Sequence, residues 1–128
     1  MFNEDITVKS IQQAKHIFKT GNLREKLAKY HSSNVDCAFW GWNDVWLDPD
    51  FKDWNIEYYL PKIKVPTLII QGKNDQYGTR RQVDGIQAGI GKKAEVEIIP
   101  ECGHSPLIDQ PDITLKFVAR FNSALSDS

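Results

Sequence analysis

Hydrophobic positions recur at helical spacing through the first half of the chain and condense into short apolar runs in the second. Ile11, Ala14 and Phe18 mark one face of a first helix, with Thr7 as candidate cap and Gly21 as a left-handed stop of the kind helix C-termini favour. Asn22-Leu23-Arg24-Glu25 resembles a capping box, and Leu23, Leu27 and Tyr30 then define one face of a short second helix. Val35, Phe39, Trp42 and Trp46 step by four, three and four, which predicts a third helix with an aromatic stripe, ended by Asp48-Pro49. Ile56, Tyr59 and Ile63 predict one more short helix.

The periodicity changes beyond Val65-Pro66. Pro66 cannot donate to a ladder and must stand at the edge or start of a strand, so the apolar run Thr67 to Gln71 is the first predicted strand. Its near-continuous apolar character implies burial on both faces, as in a parallel sheet covered by helices. Thr79 to Gln82 is a second candidate capping box, opening a helix through Val83, Ile86 and Ile90 that stops at Gly91. Ala94 to Pro100 reads as a second strand. Pro111 suits a first helical position, and Ile113, Phe117, Phe121 and Leu125 step by four along a last helix, with Ser126-Asp127-Ser128 expected to fray. The order strand, helix, strand, helix after about residue 63 defines an α/β class with a parallel pair and a right-handed crossover. A modest composition shift near Pro61 is the one boundary signal.

Composition narrows the function classes. At 128 residues, one ordinary domain is the ceiling. The 16 basic and 17 acidic side chains nearly cancel, so no long-range field marks the chain for nucleic acid or an acidic membrane. Cys37 and Cys102 form neither a disulfide framework nor a C-x-x-C pair, which fits a reducing cytoplasm. The acidic start Met1-Phe2-Asn3-Glu4-Asp5 lacks a signal-peptide pattern, and no apolar stretch reaches the ~20 residues that span a bilayer. A soluble, cytoplasmic protein is the expectation.

The candidate chemistry sits at the two strand ends. Asp75 follows the first strand in Gly72-Lys73-Asn74-Asp75, and His104 follows the second in Cys102-Gly103-His104-Ser105-Pro106. Although 29 positions apart, they come together if the strands are parallel neighbours, because the C-terminal strand ends open on one crevice. A histidine that takes a hydroxyl proton and returns it to a leaving group needs a fixed tautomer, which a carboxylate on its other ring nitrogen provides. Gly103 would allow the tight turn that aims the imidazole. The acid-then-histidine order is the second half of a Ser, Asp, His triad, yet the sequence contains no G-x-S-x-G elbow to supply the serine.

These residues resemble the α/β-hydrolase superfamily, in particular its small esterase-like and C–C bond hydrolase-like members. The resemblance runs from Leu60-Pro61-Lys62-Ile63-Lys64-Val65-Pro66-Thr67-Leu68-Ile69-Ile70-Gln71-Gly72 through Asp75, then from Val96 through the Gly103-His104 turn into the last helix, and covers residues 60 to 121 well. It implies a partial α/β-hydrolase fold, a short parallel sheet with flanking helices, in which residues 59–128 are the C-terminal segment with the acid and histidine turns and residues 1–58 are similar to the helical cap. It further implies Asp75 and His104 as catalytic residues, no cofactor, and ester or C–C bond hydrolysis in a complete protein. The oxyanion donors come from the residue after the nucleophile and from a loop after an early strand, neither of which is present here, so inactivity alone is expected.

Blander readings compete at each position. Gly-His-Ser-Pro and Asn-Asp are also ordinary turn chemistry. His16 and His31 lie among polar helix residues and read as solvated surface. Cys102 and His104 lack a second ligand pair at useful spacing, which disfavours zinc, and Cys102 has no separate base to make it a nucleophile. Trp40, Trp42 and Trp46 fit either the cap's own core, the commoner fate of an aromatic stripe, or the wall of an acyl or aromatic pocket. Trp42 and Trp46 are accordingly the substrate-binding candidates in the cap, and Tyr77, two positions after Asp75, is expected to border the crevice. Neither phosphate-loop pattern occurs. The expected partners are a missing N-terminal hydrolase portion or a second copy of the chain, giving a dimer or larger oligomer, because two buried-type strands cut from a larger sheet leave apolar faces and an unpaired edge. A stand-alone, non-catalytic interaction module is the other reading.

Overall fold

The computed structural model describes residues 1–126, so Asp127 and Ser128 of the predicted frayed end lie outside the described residues. Two compact units divide the chain: Asn3–Trp54 forms one, and Met1–Phe2 with the chain from Asn55 onward forms the other.

The first unit is helical, with α1 (Asp5–Thr20), α2 (Leu23–His31) and α3 (Val35–Leu47). Its core is Ala14, Phe18, Val35 and Phe39, with Leu23, Leu27, Ala28, Trp40 and Trp42 packed around them. The Phe18 and Phe39 rings stack 3.7 Å apart at 7°, and Trp40 meets both edge-on. The caps differ from the predicted ones. Glu4 is the N-cap of α1, and Thr7 lies buried within the helix. Gly21 ends α1 with φ −117°, not in the left-handed region, and its N–H donates to Ile17 O. Asn22 occupies the N-cap of α2 without a side-chain cap bond, so the predicted capping box does not form there. Tyr30, placed by periodicity on the apolar face, is 84% exposed.

The second unit carries the sheet. A 3-10 helix at Glu57–Lys62 leads to β1 (Thr67–Gly72), followed by α4 (Arg80–Ile90), β2 (Ala94–Ile99), α5 (Pro106–Asp109) and α6 (Pro111–Ser126). The two strands pair in parallel, in register from Thr67 opposite Ala94 to Gly72 opposite Ile99. Thr79 caps α4 by accepting from Arg81 N–H, while the Gln82 amide binds the backbone of Phe2 as both donor and acceptor. Gly91 ends α4 at φ +80°, a conformation that favours glycine. Within β1 only Ile69 and Gly72 are buried, because a two-stranded sheet cannot cover both faces along its length. Ile99, at the end of β2, is fully buried. Arg120 on α6 binds Glu95 and Glu97 of β2, which ties the last helix to the sheet. Helix α5, one turn long, was not predicted; four residues are too few for hydrophobic periodicity to register.

Candidate active site

The backbone ladder continues past the strand ends. Lys73 N–H donates to Ile99 O and Asn74 N–H to Cys102 O, each at 2.8 Å, so the turn holding Asp75 is tied to the turn holding His104. Gly72 is needed at this crossing. A Cβ there would lie 2.1 Å from Gly103 O and 2.4 Å from Cys102 O, backbone atoms that cannot swing aside. The left-handed residue of the histidine turn is Glu101, at φ +51°, and not Gly103. Gly103 instead donates its N–H to the Asp109 carboxylate at 2.8 Å, so α5 anchors the histidine turn from behind.

This framework brings Asp75 and His104 together. His104 Nδ1 lies 3.0 Å from Asp75 Oδ1. The aspartate side chain is 9% exposed and the imidazole 56%, so the acid is inside and the histidine faces outward. Asp75 Oδ1 also accepts from the Tyr77 N–H at 2.8 Å, and Oδ2 accepts from Gln71 Nε2 at 3.1 Å. Burial pushes the Asp75 carboxyl up, but the Tyr77 amide, the Gln71 side chain and His104 together outweigh it and hold it below the ordinary carboxylate range. An ionised Asp75 accepts from Nδ1–H, which leaves Nε2 as the basic nitrogen. The Tyr77 ring packs 4.9 Å from the imidazole, and burial and then the Asp75 charge push its phenol up, so it stays neutral. Cys102 is buried beneath the turn, and burial, Asp109 and Asp75 raise its thiol, which suits packing rather than nucleophilic attack.

Of the remaining candidates, Trp42 and Trp46 belong to the helical unit. Trp42 meets Phe39 edge-on at 5.7 Å, and Trp46 meets Phe51 and Trp54 at 5.3 and 5.4 Å. His16 and His31 are exposed. Sequence reading missed Gln71 and Asp109. A glutamine inside an otherwise apolar strand was the available signal for Gln71, and nothing local marked Asp109 once α5 went unseen. Among the described residues, no group of three or more His, Cys, Asp or Glu is arranged to hold a metal ion, and no helix is long and apolar enough to cross a membrane.

A parallel strand pair with flanking helices matches part of the α/β-hydrolase fold, and over the part that it spans the sequence of the chain is similar to that of α/β-hydrolases. The monoacylglycerol lipase ABHD6 of Mus musculus is 35% identical over 69 residues, 54% of this chain and 20% of that protein. Its Homo sapiens counterpart is 32% identical over 75 residues, 59% of this chain and 22% of that protein. The chain thus spans about a fifth of the length of these curated relatives. Among solved structures, a His-tagged serine hydrolase involved in carbazole degradation, the CarC enzyme, matches with a TM-score of 0.62 at 23% identity, over 75% of this chain and 37% of that one. No family model matches the sequence.

Proposed function

We propose that this chain supplies the acid and the general base of a serine hydrolase whose nucleophile lies on a polypeptide segment outside it. The observation that carries the reading is the 3.0 Å approach of His104 Nδ1 to a buried Asp75 carboxylate at the ends of two parallel strands. In the completed site, His104 Nε2 takes the proton of the serine hydroxyl as its oxygen attacks the substrate carbonyl carbon. The same nitrogen returns that proton to the departing alkoxide or carbanion. Water, activated by the same nitrogen, then cleaves the acyl-enzyme. Asp75 keeps the imidazole in the required tautomer and stabilises the imidazolium. Relatives named as a monoacylglycerol lipase and a serine hydrolase favour a carboxylic ester as substrate, with C–C bond cleavage the wider alternative. Two free thiols, exposed Cys37 and buried Cys102, support a reducing, cytoplasmic setting.

The test is to mix the chain with a polypeptide bearing the missing strands and an elbow serine and to follow p-nitrophenyl ester hydrolysis. Hydrolysis that depends on His104, and is lost in His104→Ala, is expected. A folded mixture that stays inactive, or activity indifferent to His104→Ala, would overturn the reading.

A second reading has its own support. Leu107, Ile108 and Leu115 are 63%, 80% and 57% exposed on α5 and α6 of the sheet unit. Such side chains favour a covered surface, and in isolation the chain would cover it by self-association. Sedimentation at micromolar concentration is expected to show a dimer or larger species, and a clean monomer would remove this support.

A further inference from the structure

Resting on the hydrolase reading above, we infer that Gln71 is a positioning residue for the acid: it holds the second oxygen of Asp75 and the turn that follows, so that the first oxygen stays aimed at His104. Gln71 is a polar side chain at the end of β1, in a strand whose other interior residues are Leu68, Ile69 and Ile70. Its amide nitrogen donates to Asp75 Oδ2 at 3.1 Å and to Gly78 O at 2.8 Å. An amide NH2 has two hydrogens, and both are used. The orientation is chemically forced, because a flipped amide would set its oxygen against a carboxylate and a carbonyl, both acceptors.

Two consequences follow for the acid. Oδ1 is shared by His104 Nδ1 and the Tyr77 N–H, while Oδ2 is gripped by Gln71, so the carboxylate is held from both ends and does not rotate freely about its terminal bond. The bond to Gly78 O also fastens the turn of residues 75–78 to the strand that bears the glutamine. Gln71 touches neither substrate nor the reacting atoms, and its effect passes through Asp75. Elsewhere around Asp75 the titratable groups are His104 and Tyr77, with Cys102 and Asp109 beyond the histidine turn.

The experiment is NMR on the full chain, which needs no nucleophile. Gln71→Met keeps length and removes both donors. Gln71→Glu keeps shape and places an acceptor opposite an acceptor. Loss of a hydrogen bond to a charged group should raise the Asp75 carboxyl midpoint by about one pH unit in Gln71→Met. In Gln71→Glu the two carboxylates should titrate as a pair sharing a proton, with an upper midpoint above that of Asp75 in the parent chain. In both variants the His104 Nδ1 proton resonance should broaden or vanish. Unchanged Asp75 titration and an unchanged Nδ1 resonance would overturn the inference, whether or not the thermal midpoint falls, since a fall alone marks ordinary packing. Should Gln71→Met fail to fold, Gln71→Glu decides by the same readouts. Failure of ester hydrolysis in the mixing experiment, with these shifts intact, would defeat the functional reading and not the Gln71–Asp75–His104 coupling.

Discussion

The backbone of Gly72 passes so close to that of Gly103 that a methyl group on Gly72 would sit 2.1 Å from the Gly103 carbonyl oxygen. This crossing joins the end of β1 to the turn that presents His104, so the alignment of acid and histidine depends on the absence of one Cβ. Gly72→Ala must push the two turns apart. Overpacking against backbone should destabilise the sheet unit by about 3 kcal/mol or more. Urea denaturation would measure the loss, and the His104 Nδ1 proton resonance should disappear in whatever folded population remains. Wild-type stability with an intact resonance would show that the strand ends can separate freely.

Asp75 links the site to pH. Its folded carboxyl lies below the ordinary range, since burial raises it but the Tyr77, Gln71 and His104 contacts lower it more. A depressed folded value contributes stability that is fully present above the unfolded aspartate value of about 3.9 and is lost as pH falls through the folded value. The sheet unit should therefore weaken on acidification below about pH 4, and Asp75→Asn should flatten that part of the dependence. In a complemented enzyme the same substitution should lower kcat by about 10⁴-fold, because an asparagine can present its N–H to Nδ1 and stabilise the wrong tautomer. Thermal denaturation across pH 2–6 and ester kinetics check the two halves separately.

Periodic and strand-end signals make the acid and histidine legible in the sequence, whereas their supports are hidden there. Thr67 to Gln71 announced itself by apolar run and flanking Pro66, and Asp75 and His104 by their places after two such runs. Gln71 reaches Asp75 and Gly78, Asp109 reaches Gly103, and Glu101 is set apart by its left-handed φ; each depends on the exact path of a turn, which residue type alone does not encode. Helix caps failed for a related reason. Asn22 and Glu25 have the residue types of a capping box, yet the N-cap side chain makes no bond there, while Thr79 does cap α4. Residue type permits a cap, and the local chain path decides whether it forms.

Glu101 adopts φ +51°, between β2 and Cys102. A side chain bearing Cβ pays about 1–2 kcal/mol in the left-handed region, and glycine returns part of this through its greater unfolded freedom. Glu101→Gly should therefore stabilise the sheet unit by about 0.5–1 kcal/mol and leave the His104–Asp75 contact intact. The Gln110 amide bond to the Glu101 backbone carbonyl survives the change. A lower denaturation midpoint in Glu101→Gly would show that the glutamate side chain contributes more than its backbone costs.

In the helical unit, Phe39 and Tyr30 are both aromatic and both fall on predicted apolar faces, but they carry opposite weight. Phe39 is 4% exposed and stacked on Phe18 at 3.7 Å, with Trp40 and Trp42 meeting it edge-on, whereas Tyr30 is 84% exposed. Removing a buried phenyl forfeits transfer free energy and leaves a cavity, so Phe39→Ala should cost about 3–5 kcal/mol. Tyr30→Ala touches no such cluster and should fall within about 0.5 kcal/mol of the parent. Tryptophan fluorescence during denaturation reports on this unit directly, because all four tryptophans, Trp40, Trp42, Trp46 and Trp54, lie within it. Equal costs for the two substitutions would mean that the Phe18–Phe39 stack does not organise the core, and that α2 is held through its exposed face instead.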